Sequence, residues 1–501
     1  MPFALLLIVG TGCKKEFLDE DLFNASTDTT NVAVHVTVDA RIVKNDVSKQ
    51  YKGVNITENW EDQSYWNYPT APAATIKAIN PNIIRAGNDD VFWSEPPYKK
   101  PRPCLINHGP YEFLSYQTDI VEPDGIHLKS RYLDIDEYVA VCRATGSEPE
   151  IIIPYNRIYY KGQDGTHIAT KEDFLKNAET LVNYANKVKG YNIKFWEIGN
   201  ESWQPSTNVT AANYRDDLKL FSKRMKAVDP SIKIIANGRT KSWFETVLAG
   251  AAESIDYINI SYYPVYPYSG YNFYSNYSVT YGNDADIQDV LQALNAAKPG
   301  KDIKLIVTEF NAASFYGQWK DNNDLGHALV SFQIGADLMS NPAIYFSSFW
   351  NIRWYYGYQP NGVHWLPIDS SPKTVMNAAD NQGNLNANGT SLSILYNNFS
   401  GAIVDAQSDN QIVRPYACVN KNNGKTNLFL LNKSQSKQDV KVDLNNFGSV
   451  KKAEVWVFTG SGDNDTNPKW QKTTPNVNLN ATGTSATLTL SAESVTMIKL
   501  K

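Results

Sequence analysis

Two glutamates are notable for the residues they follow. Glu201 comes directly after Asn200 in "IKFWEIGNESW" (193–203), where an apolar, β-branched and aromatic run stops at a glycine, an amide and a carboxylate. Glu309 closes the similar run "LIVTEFN", 108 residues later. A lone carboxylate after a strand is ordinarily a solvated loop group. Two of them, each ending a stave of one barrel, can face each other across its mouth. Such a pair suits acetal cleavage. One carboxyl keeps its proton for the departing oxygen, while the other is ionised and attacks carbon or activates a water. Asp and Glu fit that division because their surroundings can push their pKa values apart. Glu197 lies four residues before Glu201 on the same strand face, deeper, where an unpaired charge is costly. Its expected role is a structural pair with Arg85 or another base.

The elements that would position these groups follow from periodicity. Eight short apolar runs recur: 51–57, 82–87, 150–155, 193–199, 232–237, 255–263, 303–310 and 343–350. Stretches of helical period separate them, such as "KEDFLKNAETLVNYANKV" (171–188) and "AANYRDDLKLFSKRMKAV" (211–228). Continuous apolar strands alternating with helices predict buried parallel strands, and eight such units predict a (β/α)₈ barrel. Beyond about residue 400 the helical period disappears, and short strands split by Asn, Gly, Asp and Ser predict an antiparallel β-sandwich. The early run "NVAVHVTVDARIV" (31–43) alternates at period two and has no place in the barrel count, so it is expected to join the sandwich. The expected organisation is an export signal over 1–13, a polar tether over 14–30, the early strand over 31–45, the barrel over 46–400 and the sandwich over 401–501.

Composition excludes several partners. The 501-residue chain is 42% hydrophobic with a net charge of −5, and its Lys and Arg form no basic stripe. Nucleic acid is therefore not expected. The four cysteines and six histidines show no metal-ligand spacing, so neither a metal nor a cofactor is expected. Cys13 follows "MPFALLLIVGTG", too short to span a bilayer but the size of an export-signal core. Gly10, Thr11 and Gly12 before it resemble a bacterial lipoprotein processing site, although a Leu is usual at Gly10. A lipid at Cys13 would be the only membrane attachment and would imply a cell-envelope, periplasmic or extracellular location.

The Asn-Glu pair ending the fourth run and the Glu ending the seventh resemble the clan A retaining glycoside hydrolases. "FWEIGNESW…FSKRMKAVDPSIKIIANG" and the ending "SAESVTMIKL" are similar to the α-L-arabinofuranosidase family of that clan. The resemblance implies Glu201 as acid/base and Glu309 as nucleophile. Asn200 would hold the substrate's 2-hydroxyl, Tyr263 would hydrogen-bond the nucleophile, and Arg85 would brace it. Arg85 thus has two roles open, bracing the site or serving as a buried ion-pair partner; Tyr262 should point outward. The chain departs from the family at "RAGNDD", where Asn88 is a doubtful sugar ligand, and at Ser261, where a His is expected. Trp350 at the end of the eighth run matches other clan members better than that family.

Aromatic residues suggest the substrate's dimensions. Trp60, Trp93, Trp203, Trp319, Trp350 and Trp354 follow runs on one rim, and 263–283 is dense in tyrosine. Rings pack on the C–H faces of sugars, so Trp350 and Trp203 are expected to touch a polysaccharide or oligosaccharide. Long inserts at 88–133, 263–283 and 353–390 favour an endo-acting, agarase- or porphyranase-like cleft over a pocket for one terminal arabinose. His108, His127 and His364 in these inserts are read as surface residues. A different class also stays open, a glycan-capturing envelope lipoprotein without turnover, suggested by "CKKEFLDE" (13–20).

Overall fold

The computed structural model describes residues 33–56, 70–86, 135–159, 170–274, 276–313, 323–352, 377–380, 383–420, 425–473 and 477–501. Cys13, Trp60, Asn88, Trp93, Cys104, His108, His127, Trp319, Trp354 and His364 lie outside these residues. The expected export signal and tether lie outside them as well.

Each of the eight apolar runs forms a strand: β2 (Tyr51–Ile56), β3 (Ile83–Ala86), β4 (Glu148–Ile153), β5 (Phe195–Ile198), β6 (Lys233–Asn237), β7 (Tyr257–Val265), β8 (Lys304–Ala312) and β9 (Ile344–Phe349). They close in that order into a parallel barrel, β9 pairing back to β2. A helix follows every strand: α1 (Thr70–Ile79), α2 (Ile135–Thr145), α3 (Lys171–Val182), α4 (Ala211–Val228), α5 (Lys241–Ala251), α6 (Ala285–Ala297), α7 (Leu325–Ser340) and α8 (Ala387–Asn398).

Local chemistry sets the helix limits. Thr170 and Asp173 form a reciprocal capping box at the start of α3, and Thr210 caps α4 through the Asn213 N–H. Phe174, Ala178 and Leu181 recur at helical spacing and are buried, which seats one face of α3 on the barrel. The helical stretch anticipated to 188 changes at residue 183 into a π-helical turn, Asn183–Val188. α7 is buried on every side from Leu325 to Met339, because it lies between barrel and sandwich.

The barrel interior is layered. Ile83, Phe195, Ile235, Ile306 and Phe346 form an apolar floor, with the Phe195 and Phe346 rings edge to face at 5.9 Å. Full burial of such side chains stabilises by roughly 1.5–3 kcal/mol each. Gly53 of β2 keeps this floor closed. A Cβ there would lie 1.9 Å from Ser348 Oγ and 2.8 Å from Ile83 Cγ2. Two residues further along their strands, Arg85, Glu197 and Asn237 replace the apolar side chains.

The second unit is a ten-stranded sheet. Its strands are β1 (Val34–Asp46), β10 (Ala402–Ser408), β11 (Val413–Val419), β12 (Thr426–Asn432), β13 (Gln438–Asn445), β14 (Ala453–Thr459), β15 (Lys469–Thr473), β16 (Asn478–Leu479), β17 (Ser485–Leu490) and β18 (Ser494–Leu500). The early strand does join it, between β10 and β13. One correction applies: β1 runs parallel to β13, so the sheet is antiparallel everywhere except at that pair. Val34, Val36 and Val38 alternate inward to meet Val404, Val440 and Val442 in the sheet's core. Barrel and sheet are joined by polar contacts. Asp337 of α7 accepts from Arg414 Nη2 at 3.0 Å and from the Tyr416 hydroxyl at 2.8 Å, and the Tyr271 hydroxyl donates to the Lys433 carbonyl at 2.9 Å.

Candidate active site

β5 ends at Ile198, so Gly199, Asn200 and Glu201 form the turn beyond it and not the strand itself. Gly199 has φ +72° and Glu201 φ +47°, both left-handed. A non-glycine residue in that region costs about 1–3 kcal/mol and persists only where its surroundings impose it. Here Asn237, at the end of β6, imposes it. Its Nδ2 donates to the Ile198 and Gly199 carbonyls at 2.8 and 3.0 Å, and its Oδ1 accepts from the Ser202 N–H at 2.7 Å. Asn156 Nδ2 holds the Asn200 carbonyl at 2.7 Å. The turn carrying both sequence-selected residues is thus pinned by neighbouring strand ends.

Arg85 is the centre of the polar layer, wholly buried. Its Nε donates to Glu197 Oε2 at 2.7 Å, and Nη1 to Glu309 Oε1 at 2.8 Å and Asn55 Oδ1 at 2.9 Å. Nη2 donates to Asn200 Oδ1 at 2.8 Å. Burial alone would lower its pKa, but Glu197, Glu309 and Glu150 outweigh this and raise it further. Both roles open to Arg85 are therefore present in its contacts: it pairs with Glu197 and touches Glu309. Asn259 also donates to Glu197, which leaves that carboxylate held from two sides.

Glu309 is buried on β8, and its second oxygen accepts from the Tyr263 hydroxyl at 2.7 Å. Burial and the nearby Glu309 charge push the Tyr263 hydroxyl well above the ordinary tyrosine range, so it stays a donor. Tyr262 points to the outer side, where its hydroxyl bonds Asp284 at the cap of α6. Glu201 accepts from Gln204 Nε2. Its enclosed position, and then the Glu309 charge, push its pKa up to about 7 against the opposing effect of hydrogen bonds from Ser261 and Gln204. One carboxyl that readily carries a proton thus sits within electrostatic reach of another held by a cation and a hydroxyl.

The aromatic predictions fare differently. Trp350 is nearly buried at the end of β9, and its carbonyl accepts from Asn311 Nδ2. Trp203 is half-exposed, with the Arg239 guanidinium 5.4 Å over its ring. Among the described residues, no group of three or more His, Cys, Asp or Glu could hold a metal ion, and no helix is long and apolar enough to cross a membrane. Sequence reasoning missed Asn55, Asn237, Asn259, Gln204 and the Ser261 contact. Three of these are asparagines inside apolar parallel runs, where an inward amide breaks the pattern.

Residues 114–284, about a third of the chain, match the alpha-L-arabinofuranosidase 1 domain family. The chain is similar to α-L-arabinofuranosidases. A probable alpha-L-arabinofuranosidase C of Aspergillus fumigatus is 29% identical over 125 residues, 23% of this chain and 24% of that protein. The chain therefore aligns with about a quarter of the length of such curated relatives. At the level of fold the likeness is far wider. A thermostable α-L-arabinofuranosidase of Thermotoga petrophila superposes over 94% of this chain and 100% of its own, with TM-score 0.66 and 17% identity. A Paenibacillus polymyxa xyloglucanase covers 93% and 99%, with TM-score 0.58 and 13% identity. The barrel-plus-sandwich fold is shared by both, so it does not by itself select a substrate.

Proposed function

We propose that the protein is a retaining glycoside hydrolase acting on α-L-arabinofuranosides. The observation that carries this reading is the unequal treatment of two carboxyls at one barrel mouth. Glu309 is held by Arg85 and Tyr263, while Glu201 is raised to about 7. In the first step Glu309 attacks the anomeric carbon as Glu201 gives its proton to the departing oxygen. In the second, Glu201 takes a proton from water, which displaces Glu309 and returns the original configuration. Asn200 Oδ1 is occupied by Arg85, leaving the amide N–H groups to donate to a sugar hydroxyl. Retention predicts a separation of about 5–5.5 Å between the carboxyl groups of the two glutamates, too little for an intervening water.

The test is a product analysis with protein beginning after residue 13. Arabinan, arabinoxylan, xylan, β-glucan, galactan, agarose and porphyran form the panel. Free arabinose from the first two is the expected result. Oligosaccharides of several lengths would replace this reading with the endo-acting one. Binding to one polymer without any product would replace it with glycan capture.

A pH prediction follows from Glu201. The first step needs its protonated form, whose fraction falls as pH rises through about 7. The kcat/KM profile of the free enzyme should therefore begin its alkaline decline near that pH. Gln204→Leu removes a donor that favours the ionised form, so its profile should shift to higher pH. An unmoved or downward-shifted limb in Gln204→Leu would assign the titration elsewhere.

A further inference from the structure

Beneath the two glutamates lies a third carboxyl that the scheme above does not use. Glu150 on β4 is the direct strand neighbour of Arg85 on β3 and of Phe195 on β5. It is 0% exposed, and among the described residues neither of its oxygens has a hydrogen-bond partner. Its nearest cationic atom is Arg85 Nε, 4.0 Å from Oε1. That N–H already points at Glu197, 2.7 Å away. One positive charge here serves two carboxylates, Glu197 and Glu309, before Glu150 is considered. A third buried anion without a single donor would be strongly disfavoured. Glu197 accepts from both Arg85 and Asn259, so of these two neighbouring acids the proton belongs on Glu150.

We propose that Glu150 is a positioning residue, carried as the neutral acid, whose proton leaves Arg85 committed to Glu197, Glu309 and Asn200 and whose loss disables the site at alkaline pH. This rests on the reading of Glu201 and Glu309 as the reacting pair. Ionised Glu150 would draw the guanidinium toward β4. Glu309 Oε1 and Asn200 Oδ1 would then lose their shared donor together. The groups facing Glu150 are Arg85 from β3, Glu197 from β5 and Glu309 from β8. From α2 comes Tyr138, whose hydroxyl accepts from the Glu150 N–H and donates to its carbonyl. Burial, opposed by Arg85 and reinforced by Glu197 and Glu309, pushes Glu150 up to about 8.

Two variants of the full chain test this: Glu150→Gln, and Glu150→Met, which needs no hydrogen bond. With Glu201 and Glu150 both deprotonating, wild-type kcat/KM should fall about a hundredfold per pH unit above both transitions. Either variant should fall about tenfold per unit there, keeping only the Glu201 step. A second readout is independent of turnover. A raised folded-state value adds stability that is complete below the unfolded value and is lost as pH rises through the folded one. The Tm of wild type relative to either variant should therefore drop between pH 5 and 9. An unchanged alkaline slope, or a relative Tm that rises over that range, would overturn the proposal. So would failure of both variants to fold, because a neutral acid without hydrogen bonds is replaceable by neutral side chains of its size. A falling relative Tm in a protein that hydrolyses nothing in the panel would instead sink the catalytic reading and leave the buried proton in place.

Discussion

Replacing Glu309 by Gln should reduce kcat/KM on an aryl α-L-arabinofuranoside by roughly four orders of magnitude or more, the scale seen when a hydrolase loses its nucleophile. The fold should survive, because an amide can turn its oxygen to Arg85 and its nitrogen to the Tyr263 hydroxyl. Glu201→Ala should behave differently. An aryl leaving group needs little protonation, so the first step persists and the glycosyl-enzyme accumulates without a base to activate water. Azide, which needs no such base, should then restore turnover and yield a glycosyl azide of the substrate's own configuration. Inverted product would mean a single direct displacement by azide, making Glu201 either the nucleophile or the base of an inverting pair. A Glu309→Gln variant retaining a tenth of the activity would remove Glu309 from the reaction altogether.

Arg85→Met should have the largest effect on stability. It strands Glu197 and Glu309 in the barrel without their cation, and breaking a buried pair in this way costs roughly 3–5 kcal/mol. Urea denaturation at neutral pH measures this directly. The double variant Arg85→Met/Glu197→Gln should recover part of the lost stability, since one stranded charge is gone. It should recover no activity, because Glu309 and Asn200 still lack their donor. Recovery of activity in the double variant would mean that Arg85 serves only to neutralise Glu197.

Much of this was legible in the residues, for definable reasons. Parallel strands buried on both faces are apolar throughout, so "IKFWEIG" and "IKLIVTEF" declare themselves and count to eight. Barrel topology then assigns their C-terminal ends to one rim, which brings Asn200, Glu201, Tyr263 and Glu309 into one neighbourhood. Arg85 was visible as a cation in an apolar strand, but which carboxylates it meets depends on register across β3, β4 and β5. Glu150 was hidden by its place at the start of the run "EIIIPY", where a charged residue ordinarily marks a solvated strand entrance. The parallel pairing of β1 with β13 was also invisible, because alternation at period two is the same whichever way a neighbour runs. Ser261 was noticed for the histidine it replaces. Its contact with Glu201 belongs to the bulge that breaks the β7–β8 register at that point.

The position of β1 has a consequence for how the chain must be made. Both neighbours of this strand come from beyond residue 401, so some 355 residues separate its end at Asp46 from its first partner at Ala402. At roughly 5–20 residues per second, synthesis of that interval occupies about 20–70 s. Throughout it, Val34, Val36 and Val38 have no sheet to enter, while the barrel can already close behind them. The newborn protein thus waits with an open apolar edge until β10 and β13 arrive. A cut at the barrel's end would make that wait permanent.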